Sequence, residues 1–202
     1  MNIFCIGRNY LDHARELNNP VPQSPLIFCK PTTALLQDNG DFTIPDFSDE
    51  IHYEGELVIR ICKEGKSVSH REASSYYDKM AFGIDFTARD LQNRLKEKGH
   101  PWEIAKGFDQ SAAVSRFISV NSSLPDSIRF ETHKNGEVVQ QGNTQDMIFS
   151  NEDIIVYLSK FFTLHEGDMI FTGTPAGVGR VRQGDLLEGY IDGRKLLSCY
   201  IK

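Results

Sequence analysis

Apolar positions along the chain mostly alternate with polar ones or run in short continuous stretches; recurrence at helical spacing is less common. Strand-like runs cover residues 2–6, 26–29, 52–62, 80–87, 127–133, 137–141, 168–172, 185–191 and 195–201. Helical signals are fewer. Residues 151–162 (NEDIIVYLSKFF) carry the clearest one, with Asn151 as N-cap and Glu152 and Asp153 suited to the positive end of a helix. Residues 9–17 (NYLDHAREL, with Asn9 as cap), 70–79 (HREASSYYDK) and 88–98 (ARDLQNRLKEK) predict three more. Asn135-Gly136 and Asp192-Gly193 each separate two strand-like runs, and both dipeptides tolerate the positive φ of tight hairpin turns. Many strands, few helices and late hairpins predict a strand-rich mixed α/β fold, a curled sheet with helices packed outside it. No repeat, low-complexity linker or composition shift divides the chain, so one unit spanning 1–202 is expected.

Composition narrows the partners. With 22 basic and 28 acidic residues the formal charge is −6, which argues against nucleic acid or an anionic membrane. No apolar run approaches the ~20 residues that span a bilayer. The opening MNIFCIGRNY enters a strand-like pattern at once, leaving no room for a leader. Cys5, Cys29, Cys62 and Cys199 lie in apolar contexts without a CxxC pair, as free thiols in a reducing, cytoplasmic compartment would.

The run HYEGELVIRI (52–61) is unusual for a strand, because the two-residue period puts His52, Glu54 and Glu56 on one face. Neighbouring carboxylates repel and require open solvent or a cation. Asp85 interrupts another apolar run, AFGIDFTARD; if the two runs are adjacent strands, three carboxylates converge as hard divalent cations prefer. An exposed strand face with Asp85 in a turn is the alternative. His13 and Glu16 are three apart on a predicted helix, the spacing of an oriented general base or of an incidental surface pair. Lys30 and Lys106 sit in apolar or aromatic surroundings, placed to meet a substrate carboxylate or simply to snorkel. FTGTPAGVG (171–179) offers hydroxyls and backbone N–H groups to an anion, or forms a plain turn.

Taken in order, GRNYLDHARE, FCKP, HYEGEL, GIDFTARDLQ, PWEIAKGFD and FTGTPAGVG, spread from Ile6 to Gly179, resemble the fumarylacetoacetate hydrolase family. The resemblance is strongest to its short branch of acylpyruvases and oxaloacetate decarboxylases. It implies a β-roll with flanking helices, Mg²⁺ or Mn²⁺ held by Glu54, Glu56 and Asp85, and a small 2-oxo acid substrate. It also implies that His13 and Glu16 form a water-activating dyad on a lid, that Lys106 stabilises an enolate, and that Arg8, Lys30, Arg89, Gln92 and Thr174 lie around the substrate. The implied activity is metal-dependent C–C hydrolysis of acylpyruvates, with oxaloacetate decarboxylation beside it, in a homodimer. An isomerase or tautomerase of an unsaturated 2-hydroxy or 2-oxo diacid is the other catalytic reading, and a non-catalytic metal- or carboxylate-binding protein is the reading from another class.

Overall fold

A computed structural model describes residues 1–16, 20–37, 39–120 and 127–202. The first third holds β1 (Ile3–Gly7), α1 (Leu11–Glu16), β2 (Leu26–Lys30), β3 (Leu35–Gln37), β4 (Ile51–Tyr53) and β5 (Gly55–Ile61). Next come α2 (His70–Ala73), β6 (Tyr77–Asp85), β7 (Thr87–Ala88), α3 (Arg89–Glu97), α4 (Glu103–Lys106), β8 (Ala112–Val114) and β9 (Ile118–Ser119). The last third is β10 (Arg129–Lys134), β11 (Glu137–Asn143), α5 (Asn151–Phe161), β12 (Met169–Phe171), β13 (Gly179–Arg180), β14 (Leu186–Ile191) and β15 (Arg194–Tyr200).

The fold is strand-rich mixed α/β. Its largest sheet runs β2-β1-β12-β5-β6-β8-β3, with β9 on the far end of β6. Among the described residues, only β1·β12 and β3·β8 pair in parallel within it. A second sheet, β11-β10-β14-β15, packs its inner face on β5 and β6, and a small β13-β4-β7 sheet closes one end. Between the two larger sheets lies an apolar core that includes Leu57, Phe82, Phe130, Leu187 and Leu197. On the same face of the large sheet, toward β12 and β1, α5 and α2 bury Ile154, Ile155 and Leu158 against Phe4, Ile59 and Ile170.

Both hairpins form as expected. Asn135 and Gly136 have φ of 55° and 85°, Asp192 and Gly193 of 46° and 75°, and the pairs Lys134↔Glu137 and Ile191↔Arg194 close two-residue turns. Other expectations are corrected. The helix over 70–79 ends at Ala73; a 3₁₀ turn covers Ser74–Tyr76 and Tyr77 already pairs with Ile61. Lateral pairing with β5 outweighs helical spacing there, and Tyr77 spends its hydroxyl on Glu152. Helix α5 is capped by Ser150, not Asn151: the Ser150 hydroxyl accepts from Asp153 N–H and Asp153 accepts from Ser150 N–H. Asn9 caps nothing. It is fully buried, donates to the carbonyls of Thr172 (2.7 Å) and Phe149 (3.0 Å) and accepts from Phe149 N–H. Of the helix expected over 9–17, Leu17 lies outside the described residues. Expected strand 52–62 breaks at Glu54, and 80–87 begins earlier and breaks at Phe86. The pieces that went unpredicted (β3, β8, β9, β13 and α4) are two to four residues long, too short for any periodicity.

The break at Glu54 depends on Gly55. A Cβ there would lie 1.9 Å from Thr132 Oγ1 and 3.0 Å from the Phe82 ring, because the second sheet presses directly on this backbone. Gln140 fixes the contact by accepting from Gly55 N–H at 2.9 Å and from Thr132 Oγ1 at 3.0 Å. Gly55→Ala therefore destabilises the fold by about 1–3 kcal/mol through overpacking, read as a lower urea midpoint at unchanged m. An unchanged midpoint would mean that the two sheets are not in contact here.

Candidate metal centre and its cavity

The strand break at Glu54 and the end of β6 at Asp85 bring the expected carboxylates together. Asp85 N–H donates to the Glu54 carbonyl (2.8 Å), Glu56 lies opposite Gly83 on β6, and ligand oxygens of Glu54, Glu56 and Asp85 all lie within 4.8 Å of one another. All three are buried, Asp85 completely. They form one wall of a cavity that is also lined by Arg8, His13, Arg89, Gln92, Lys106 and Thr174.

Such a concentration of buried negative charge needs cations, and the chain supplies three. Lys106, at the end of α4, donates to Glu54 Oε2 (2.8 Å), Asp85 Oδ2 (2.7 Å) and Thr87 Oγ1 (2.6 Å). All three ammonium protons are thereby engaged. Burial works against this charge, but Asp85 and Glu54 outweigh it and hold the Lys106 pKa above the usual lysine value. Arg89, the first residue of α3, pairs with Glu54 Oε1 and donates to Gln92 Oε1 (2.6 Å). Burial alone would raise the Glu54 pKa, yet Lys106 and Arg89 together hold it far below the carboxylate range.

Lys30, expected around the substrate, is the third cation. Its ammonium is buried behind Asp85, 2.7 Å from Oδ1, and also donates to the Lys106 carbonyl, Ser111 O and Ser111 Oγ. It supports the centre from behind and does not line the cavity.

Glu56 is different. It accepts from Gly173 N–H at 2.7 Å and, among the described residues, has no cationic partner. Burial, then Asp85 and Glu54, push its pKa well above the usual range. Asp85 Oδ1 likewise has no aligned hydrogen-bond donor. An unpaired buried carboxylate facing two more, all hard oxygen donors, fits a divalent cation such as Mg²⁺ or Mn²⁺. The residues present suit that group.

His13 and Glu16 stand one helical turn apart on α1, with Nδ1 and Oε2 3.2 Å apart. His13 is 4% exposed; burial, only partly opposed by Glu54 and Glu16, lowers its pKa and leaves the imidazole neutral. Glu16 also accepts from Gly177 N–H at 3.1 Å, which ties α1 to the 172–178 loop. That loop is held at three points. Gly173 adopts φ +110°, where an added Cβ would meet Asn9, and its N–H serves Glu56. Thr174 Oγ1 donates to the Gly55 carbonyl (2.9 Å) and accepts from Gln140 Nε2 (2.8 Å). Thr174 thus lines the cavity while its hydroxyl braces the turn between the two glutamates.

Several contributors went unread in the sequence. Thr87 lies two residues beyond Asp85, so the same alternation that joined Glu54 to Glu56 points to it. Lys96 follows Arg89 and Gln92 on one helical stripe of α3 and lines the cavity with Trp102. Asn9, Gln140 and Ser111 carry no local signal for these roles, since each arises from a contact across more than eighty residues.

Comparison with known proteins places this arrangement. The family described as fumarylacetoacetate (FAA) hydrolase C-terminal matches residues 2–199. The mitochondrial oxaloacetate tautomerase FAHD1 of Rattus norvegicus is 42% identical over 194 residues, covering 95% of this chain and 87% of the relative. The crystal structure of a fumarylpyruvate hydrolase from Pseudomonas aeruginosa, in complex with Mn²⁺ and pyruvate, superposes with a TM-score of 0.94 at 37% identity, covering 100% of this chain and 89% of that one. A 2-hydroxyhepta-2,4-diene-1,7-dioate isomerase from Mycobacterium marinum follows with a TM-score of 0.86 at 34% identity, covering 99% and 73%. The rat relative is named mitochondrial, which lends no support to the cytoplasmic placement; no helix among the described residues is long and apolar enough to cross a membrane. With nearly its whole length matched and its fold shared, the chain is an enzyme of the fumarylacetoacetate hydrolase family.

Proposed function

We propose that the whole chain, residues 1–202, is a divalent-metal-dependent hydrolase that cleaves the C–C bond of acylpyruvates and also decarboxylates oxaloacetate. The observation that carries this reading is the convergence of three buried carboxylates on a cavity shared with a carboxylate-oriented histidine. Glu54, Glu56 and Asp85 would hold the metal. When bound, Mg²⁺ or Mn²⁺ supplies an electron sink for a 2-oxo acid by polarising its 2-oxo group.

The remaining steps belong to the chain. His13, held by Glu16, takes a proton from water as it adds to the distal carbonyl of the acylpyruvate. The C–C bond then breaks, giving a carboxylic acid and pyruvate enolate, which gains a proton to become pyruvate. Lys106 meets the negative charge of the enolate: each carboxylate oxygen it releases leaves one donor for the substrate. Arg89, steadied by Gln92, adds positive charge beside Glu54, while Thr174 keeps the Glu54–Glu56 turn in place. For oxaloacetate the same site accepts electrons as CO₂ departs, and no water attack is needed.

A second reading is keto–enol tautomerisation or isomerisation of a 2-oxo diacid, favoured by the tautomerase and isomerase named among the relatives. It uses the same residues, with His13 moving a proton between carbon and oxygen. The homodimer implied by the resemblance is part of the proposal, and sedimentation equilibrium at twice the chain mass is its check.

Pyruvate release from acetylpyruvate and from oxaloacetate is expected with Mg²⁺ and lost in excess EDTA. Conversion of enol to keto oxaloacetate without pyruvate release would instead select the tautomerase. Glu56→Gln is expected to abolish metal binding, read as loss of the Mg²⁺-induced rise in Tm, together with activity. Because Glu56 has no cationic partner to strand, the metal-free variant should melt no lower than the wild type; metal affinity that survived would remove Glu56 from the ligand set. His13→Gln should keep the Mg²⁺-induced shift but lower the hydrolytic rate by about 10²–10⁴-fold, the usual contribution of a general base. Full hydrolysis in that variant would refute the dyad.

A further inference from the structure

Pairing the interior charges leaves two cations on the cavity wall. Glu54 and Asp85 engage Lys106, Arg89 and Lys30. Arg8, just past β1, and Lys96, in the last turn of α3, line the same cavity and are half-buried. Among the described residues neither forms an ion pair. The helix gives Lys96 no partner either: its neighbours at three and four residues are Gln92, Asn93, Gly99 and His100, none of them acidic. In a chain with more acids than bases, two unpaired cations on one cavity wall are unexpected unless an anion belongs between them. Arg8 also has φ +60°, a conformation that costs a non-glycine residue energy and persists only where the surroundings enforce it.

We infer that Arg8 and Lys96 form a subsite for the second carboxylate of a dicarboxylic 2-oxo acid, and that they set the enzyme's preference for diacids over monoacids. The first carboxylate and the 2-oxo group face the three-carboxylate centre, so this inference rests on the reading given under Proposed function. Leu26, Phe28 and Trp102 supply an apolar wall in the same cavity, suited to the short carbon chain joining the two ends. The electrostatics agree. Burial lowers the Lys96 pKa, and Arg8 and Arg89 lower it further, so these cations repel one another and gain from a shared anion. Burial lowers Arg8 as well.

The test uses two stable five-carbon acids that differ only at the far end, 2-oxoglutarate with a carboxylate and 2-oxopentanoate with a methyl group. Binding of each is measured by calorimetry in saturating Mg²⁺ to the wild type, Lys96→Met and Lys96→Arg. Methionine keeps the helix propensity and the side-chain bulk at this position. The wild type is expected to bind the diacid about tenfold or more tightly than the monoacid, the worth of one charge-assisted hydrogen bond. Lys96→Met is expected to cut that ratio by about fivefold or more, and Lys96→Arg to restore most of it. Equal binding of the two acids by the wild type, binding of neither, or a ratio untouched in Lys96→Met would each overturn the subsite. Turnover of acetylpyruvate and oxaloacetate separates this from the parent reading. A diacid preference without turnover leaves the subsite standing and the reaction wrong; turnover without the preference does the reverse.

Discussion

A buried balance of charge organises this protein. Three buried carboxylates at and beside two adjacent strands meet here, and Lys106, Arg89 and Lys30 approach them from α4, α3 and β2. Removing one member of a buried pair strands its partner at a cost of about 3–5 kcal/mol, so each cation is tied to its position as firmly as the acids are. The distribution is uneven: Glu54 is paired twice, Asp85 twice, and Glu56 only by the N–H of Gly173. That unevenness makes the site receptive to a divalent cation, because one carboxylate has no cationic partner among the described residues.

The rest of the architecture holds this balance in place. The second sheet presses on Gly55, and Gln140 links that backbone to Thr132, Thr174 and Pro175. Asn9 joins the end of β1 to the carbonyls before the 173–178 loop and before α5. Glu16 serves both His13 and Gly177, so the helix carrying the histidine and the loop serving Glu56 are positioned together. The histidine of α1 and the three carboxylates around β5 and β6 thus face one cavity.

Much of this was legible in the sequence, and the reasons are local. The two-residue period of a strand put Glu54 and Glu56 on one side, and the helical period put Glu16 beside His13, so spacing showed which side chains share a face while the roles came from the family resemblance. Asp85 was visible as a charge inside an apolar run. The two hairpins followed from Asn-Gly and Asp-Gly, whose backbone preferences need no tertiary help.

What only the tertiary structure decided depends on long-range contact. Spacing cannot say that β5 and β6 are neighbours, and without that pairing Asp85 is merely an acid in a strand. Lys30 and Lys106 look alike in sequence, each in apolar surroundings, yet one is sealed behind Asp85 and the other lies on the cavity wall. Asn9 reads as a helix cap and becomes a buried cross-link, because two carbonyls from distant segments meet it inside the fold. Lys96 reads as one more surface lysine, and only the placement of α3 over the cavity turns it inward. The amino-acid sequence by itself determined which side chains share a face, since that follows from the backbone's own periodicity. The folded chain decided which faces meet, because burial and charge pairing join segments that the periodicity never compares.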